Sequence, residues 1–309
     1  MVSPSLYVEV DGVKVSLDNG RYENAFLSHA HSDHTRGIKR VKKLLSSKET
    51  KHLIEISKEP ISLKKLEMRN AGHILGARQL VAEEDGRKSV YTGDIRLKNG
   101  ILEKGAEVVE CDKLIIEATY AKKIFSFPDP FEVYEQISKA VALELLRGNS
   151  IIFGAYALGK AQELIKVINE YLSIPVVVDE KVYGFSKKYV ELGIDLDFVR
   201  LNSEEAKDIT SESFVYITSP SGLNRKNSLS MVMEYGMPFK MFYATGWIRK
   251  FSFKKYDMVF PLSDHADFKD ILYYIEQSNA KEIILFGGDG EDLLHYKRIN
   301  GISIKISGQ

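Results

Sequence analysis

Seven residues near the start of the chain, Ser28-His29-Ala30-His31-Ser32-Asp33-His34, constrain it more than any other stretch. Three of the chain's seven histidines fall there, with an aspartate among them. Residues 24–28, which run into this stretch, read as a short strand. After them, Ile38, Val41, Leu44 and Leu45 have a spacing that predicts a helix from Thr35 to about Leu45. In an extended segment His29 and His31, two apart, face the same side. Asp33 and His34 stand where the chain turns and can aim at a second point nearby. Neutral imidazole and carboxylate are the ligands a zinc-like ion prefers. Two further segments fit the same centre, Gly72-His73-Ile74-Leu75-Gly76 and Tyr91-Thr92-Gly93-Asp94-Ile95. Alone, His73 would read as a satisfied polar histidine and Asp94 as a turn residue. Beside the first cluster, each reads as a ligand.

The composition allows a well-packed protein around such a centre. Of 309 residues, 44% are hydrophobic and 28% charged, and 43 basic side chains balance 43 acidic ones. Zero net charge excludes gripping nucleic acid by bulk charge and leaves room for a local basic groove. The single cysteine, Cys111, builds neither a disulfide framework nor a cysteine-rich finger, and it fits a reducing compartment. No apolar run is long enough to span a bilayer and no signal peptide is visible, so the expectation is a cytoplasmic protein without membrane contact. The sequence leaves the oligomeric state open.

The first third reads as β-rich. It starts with a hairpin of residues 6–10 and 13–17 about Asp11-Gly12, and later strands fall near 89–92 and 114–116. The middle alternates helix and strand: helices over 131–147 and 160–171, strands over 151–153, 174–178, 214–218 and 239–244. That alternation predicts a parallel sheet with crossover helices. A strand at 259–262, a helix at 268–277 and a strand at 283–286 follow. The predicted organisation is a first domain of residues 1–122 and 251–309, interrupted by a second domain of residues 123–250.

These motifs resemble the metallo-β-lactamase fold, an α/β αββα sandwich, and within it the β-CASP nucleases with their inserted α/β domain. Asp18, in Leu17-Asp18-Asn19-Gly20, matches the first family motif. Glu117, in Ile116-Glu117-Ala118-Thr119-Tyr120, matches the acidic residue that closes the first part of the hydrolase domain. Residues 157–164, Ser219-Pro220-Ser221-Gly222 and Ala244-Thr245-Gly246-Trp247 resemble segments of the inserted domain. Leu262-Ser263-Asp264-His265-Ala266-Asp267 matches the return motif, in a form similar to ligase-associated exonucleases and archaeal-type processing-factor homologues. The resemblance implies one or two Zn2+ ions, with Mn2+ as an alternative. It gives His29, His31 and His73 to the first ion, Asp33 and His34 to the second, and Asp94 to both. It implies that hydroxide held between the ions attacks phosphorus, that His265 acts as general acid or phosphate ligand, and that Glu117 keeps His265 charged. Asp18 would orient the histidine loop.

One position departs from the pattern. The family strand after the return helix ends in a ligating histidine, and here Gly287 stands in its place, implying a weak second metal site. Asp289 and His295 are candidate substitutes, with a plain surface role as the default. The implied partner is single-stranded RNA or DNA. Arg36, Lys39, Lys160 and Arg249 are candidate substrate contacts, and the basic run over 36–51 would lie beside the site on the predicted helix. Tyr156, Tyr183, Phe185 and Trp247 are candidate stacking residues, with core packing as the default. Two other functions remain open: a non-catalytic nucleic-acid-binding homologue, and a small-ester hydrolase of the same fold.

Overall fold

A computed structural model describes residues 6–249, 252–294 and 303–306. Two compact units make up the chain. The first comprises Met1–Asn99, Glu103–Ser126 and Asp264–Gln309. The second comprises Gly100–Leu102 and Phe127–Ser263.

The first unit opens with the expected hairpin. Strands β1 (Tyr7–Val10) and β2 (Val13–Leu17) pair antiparallel, with Val10 opposite Val13. Asp11 and Gly12 both take positive φ, as a two-residue turn of this hand requires. Strands β3 (Asn24–Phe26) and β4 (Lys43–Leu45) extend the sheet in parallel, in the order β1-β2-β3-β4. A short helix α1 (Lys48–Leu53) follows, capped by Ser47.

The helix expected from Thr35 to Leu45 is not there. Ile38–Arg40 form a single 3-10 turn, Val41 is extended, and Lys43–Leu45 are strand. The cause lies at Gly37, whose φ of 81° breaks a helix at its start. Its carbonyl also packs so closely on Gly20 that a Cβ there would stand 2.2 Å from the oxygen. Ile38, Val41 and Leu44 still reach one core cluster with Ala25 and Leu27. Their spacing reported burial correctly and geometry wrongly.

A second sheet of this unit contains β5 (Leu66–Asn70), β6 (Arg78–Glu84), β7 (Arg87–Tyr91) and β8 (Lys113–Glu117). The two sheets share one apolar core. Val8, Val10, Val15, Leu17 and Phe26 of the first meet Leu80, Ala82, Tyr91 and Ile115 of the second.

The second unit is a parallel α/β sheet. In chain order it runs α2 (Pro130–Leu146), β9 (Ser150–Gly154), α3 (Lys160–Leu172), β10 (Val176–Val178), α4 (Glu180–Glu191) and β11 (Phe198–Arg200). Then come α5 (Glu204–Thr210), β12 (Val215–Thr218), α6 (Arg225–Tyr235), β13 (Phe239–Ala244) and β14 (Met258–Phe260). The strand order is β11-β10-β12-β9-β13-β14, with every pairing parallel. Because β14 hydrogen-bonds to β13, this unit runs on to Ser263, past the boundary at 250 read from the sequence.

The chain then returns to the first unit through α7 (Phe268–Gln277), β15 (Glu282–Phe286), α8 (Glu291–Leu294) and β16 (Ser303–Ile306). β15 pairs parallel with β8, setting Phe286 opposite Glu117, and the second sheet reads β16-β15-β8-β7-β6-β5. No helix among the described residues is long and apolar enough to cross a membrane.

Candidate metal centre

Strands of the first unit deliver the polar side chains at their carboxyl ends. Asp18 directly follows β2, His29 lies just beyond β3, Asp94 just beyond β7, and Glu117 closes β8. Gly93, at φ 56°, allows the end of β7 to approach Ser28, where a Cβ would stand 2.5 Å from the serine Cβ. His265 reaches the site from the turn before α7.

Four ligand-type atoms converge there. His29 Nε2 and His73 Nε2 lie 3.1 and 3.0 Å from His31 Nδ1. Asp94 Oδ2 lies 3.5 Å from His29 Nε2 and 3.8 Å from His73 Nε2. All four residues offer ligand atoms within 4.8 Å of one another. A second, adjoining group contains His34. Its Nε2 is 3.2 Å from Asp94 Oδ2 and 3.8 Å from Asp33 Oδ2. Asp94 therefore faces both groups. Asp33 is the loose member, with a side chain 55% exposed.

The remaining ring nitrogens are held by neighbours. His73 Nδ1 donates to the Asp264 carbonyl at 2.6 Å, and His29 Nδ1 donates to Ser28 Oγ at 2.9 Å. His34 Nδ1 donates to Asp18 Oδ2 at 2.7 Å. Asp18 is buried and also accepts from the Ser28 amide at 2.6 Å, from Ser28 Oγ at 2.5 Å and from Tyr91 OH at 2.8 Å. These bonds fix the tautomers, leaving Nε2 of His29 and His73 without a proton.

The donor chemistry fits a divalent cation. Two bare Nε2 lone pairs, of His29 and His73, crowd the single Nδ1 of His31, which carries one proton at most. That is a surplus of lone pairs with too few hydrogens to share. Protonation does not relieve it: burial pushes His29 and His73 well below the usual imidazole range, aided by His34 and His265 respectively. Asp94 goes the other way. Burial alone would raise it, but the neighbouring His34 holds it well below the usual carboxylate range. Burial likewise disfavours charge on His34, yet Asp94 and Asp18 outweigh it and raise its pKa well above the usual value.

Beside these groups lies a carboxylate–imidazole pair. Glu117 Oε2 accepts from His265 Nδ1 at 2.8 Å, and Glu117 Oε1 accepts from the Ile95 amide at 2.6 Å. Burial opposes charge on His265, but Glu117 and Asp94 lift its pKa to about 9. Its ring centroid is 4.5 Å from that of His73, and its side chain keeps 18% of its surface exposed.

Other sequence candidates lie elsewhere. Arg36 and Lys39 are exposed, but on the loop and 3-10 turn that replace the expected helix. Lys160, in the first turn of α3, is only 2% exposed, with its ammonium 5.3 Å from the Tyr156 ring centroid. That burial corrects its reading as a phosphate contact, because a lysine enclosed this far presents no charge to a strand on the surface. Arg249 ends a 3-10 turn, and its side chain lies outside the described set. Asp289 is ion-paired to Lys122 at 2.5 Å, which is its own structural explanation. His295 lies outside the described residues. Two participants escaped the sequence reading altogether: Tyr91 and the hydroxyl of Ser28. Their contacts depend on Asp18 and on how the ends of β2, β3 and β7 meet, which no local pattern reports.

No family model matches the chain. It is 26% identical over 307 residues to the probable DNA ligase of Opitutus terrae, covering 93% of this chain and 29% of that protein. It is 27% identical over 172 residues to the RNase J-like protein of Methanocaldococcus jannaschii, covering 55% of this chain and 40% of that one. These relatives match the resemblance to the metallo-β-lactamase-fold β-CASP nucleases that the motifs carry. The chain spans less than half the length of either relative. In fold, it is similar to a crystal structure of a protein of unknown function from Enterococcus faecalis V583. That likeness has a TM-score of 0.52 at 16% identity and covers 84% of this chain and 74% of the other.

Proposed function

We propose that the chain is a metal-dependent nuclease that hydrolyses phosphodiester bonds of single-stranded nucleic acid. The observation that carries this reading is the convergence of His29, His31, His73 and Asp94 beside the Glu117–His265 pair. On the same reading the first unit is a metallo-β-lactamase αββα domain and the second is the inserted β-CASP domain. The support is topological: the all-parallel sheet interrupts a unit built from two facing sheets.

His29, His31, His73 and Asp94 would hold one cation, and His34, Asp33 and Asp94 a second, with Zn2+ the best match to this donor set and Mn2+ acceptable. A bound divalent cation lowers the pKa of water and neutralises charge developing on phosphoryl oxygens. The protein supplies the remainder. Asp18 and Ser28 orient the imidazoles. Glu117 keeps His265 protonated at neutral pH, and the Nε2 proton is given to the leaving oxygen as its bond to phosphorus breaks. Water provides the incoming oxygen, so the products are a phosphomonoester and a free hydroxyl. Exposed Arg36 and Lys39 would contact phosphates without reading sequence.

The relatives' names point to both RNA and DNA, so the test uses both. End-labelled single-stranded RNA and DNA are incubated with the protein, with and without Zn2+ or Mn2+. Cation-dependent cleavage is expected, lost in His31→Ala and Asp94→Ala variants that still fold. Full activity in both variants would refute the site. Tight binding without cleavage under any cation would favour a non-catalytic homologue.

A further inference from the structure

The hydrogen bonds behind the cluster form a hub. Asp18 takes φ 51°, a left-handed conformation seldom adopted by residues with a side chain, and its carboxylate is buried. Its oxygens accept four hydrogen bonds from three residues. Oδ1 takes the Ser28 amide, and Oδ2 takes Ser28 Oγ, His34 Nδ1 and Tyr91 OH. The Ser28 hydroxyl has one proton, which goes to Asp18, so it accepts from His29 Nδ1. One carboxylate thus sets the proton positions of two rings: His34 directly, and His29 through Ser28. Tyr91 contributes the only one of these bonds that comes from another sheet. It is buried at the end of β7, and its ring packs edge-on against Phe26 and at a tilt against Phe286. The phenol is therefore braced by the core and steadies Asp18 from behind.

We propose that Tyr91 is a positioning residue, which acts through Asp18 to fix the His34 ring and so sets how tightly the cation facing His34, Asp33 and Asp94 is held. The proposal rests on the metal-centre reading above and extends it to a residue which no cation touches. The geometry makes the effect selective. His34 bonds the same oxygen as Tyr91, whereas His29 is separated from Asp18 by the Ser28 hydroxyl, and His73 is oriented by the Asp264 carbonyl. The cation facing His29, His31 and His73 should be nearly blind to the phenol. Ser28 is the contrasting case, because its hydroxyl serves both rings.

The test is a Co2+ titration of chelator-stripped protein, read by visible absorption, on wild type, Tyr91→Phe and Ser28→Ala. Wild type is expected to take up two Co2+ with separate affinities. Tyr91→Phe should weaken the second by about tenfold or more, with its absorption band altered, and leave the first within about twofold. Ser28→Ala should weaken both. Circular dichroism melts verify that each variant folds, and phenylalanine keeps every packing contact of the ring. Unchanged affinity and spectrum for the second Co2+ in Tyr91→Phe overturn the inference, as does equal weakening of both. Uptake of one Co2+ by wild type also overturns it and leaves the metal centre standing. Uptake of none overturns the metal centre itself.

Discussion

Glu117 is a carboxylate buried at a strand end, and it is tolerated there because the Ile95 amide and His265 both donate to it. That pairing has a pH signature. The folded pKa of His265, about 9, exceeds its unfolded value of roughly 6.5. Its contribution to stability is complete below about pH 6.5 and is lost as pH rises through 9. His34 is raised as well, by Asp94 and Asp18, so its contribution in metal-free protein also falls as pH rises. The difference between wild type and Glu117→Gln isolates the pair. Thermal melts of metal-free protein from pH 6 to 10 should show the gap between the two narrowing with rising pH, and a constant gap would contradict the pairing. In the loaded enzyme, His265→Ala should cost about 10²–10⁴ in cleavage rate, since this is what a positioned proton donor contributes. The same scale shows what the sequence could reveal. The cluster over 28–34 was readable because three of the chain's seven histidines stand together there, and His73 and Asp94 were readable only beside it. Tyr91 was not, because a tyrosine ending an apolar strand reads as core until its hydroxyl is seen on Asp18.

The stretch from Thr35 to Leu53 is the instructive element. Apolar residues three apart suggested a helix, and the chain instead makes a turn, the edge strand β4 and the short helix α1. Both geometries bury Ile38, Val41 and Leu44, so burial alone could not choose between them. The choice belongs to Gly37 and to its contact with Gly20, which no local pattern contains. Gly20→Ala forces its Cβ against a carbonyl and should cost about 1–3 kcal/mol, measured by denaturant melts. Wild-type stability in that variant would show that the close approach is dispensable. The basic residues lose their shared helix face but not their charge. Neutralising Arg36 and Lys39 together should weaken oligonucleotide binding and flatten its salt dependence by roughly 1.4 in log–log slope. An unchanged slope would remove both from the binding surface. Helix α6 was missed for a simpler reason. Leu229 and Met233 are exposed while only Met231 is buried, so no apolar stripe marks it.

At the scale of the whole molecule, alternation of helix and strand announced the parallel sheet of the second unit, and the interrupted arrangement of the first followed from where the motifs stand. The end of the second unit was hidden because the pairing of β14 with β13 crosses a loop. The candidate ligands of the first unit follow strands of both of its sheets, His29 after β3 and Asp94 after β7, so a bound cation would tie together parts distant in sequence. Chelation should therefore lower the melting temperature of the whole transition. Restoring a cation at 100 times its Kd should return about 2.7 kcal/mol. The most direct measurement is anomalous diffraction at the Zn2+ edge from crystals of the loaded protein. The expected result is a peak bounded by His29, His31, His73 and Asp94. Stoichiometric Zn2+ found away from those four side chains, or none at all, would contradict the metal centre on which the proposed nuclease depends.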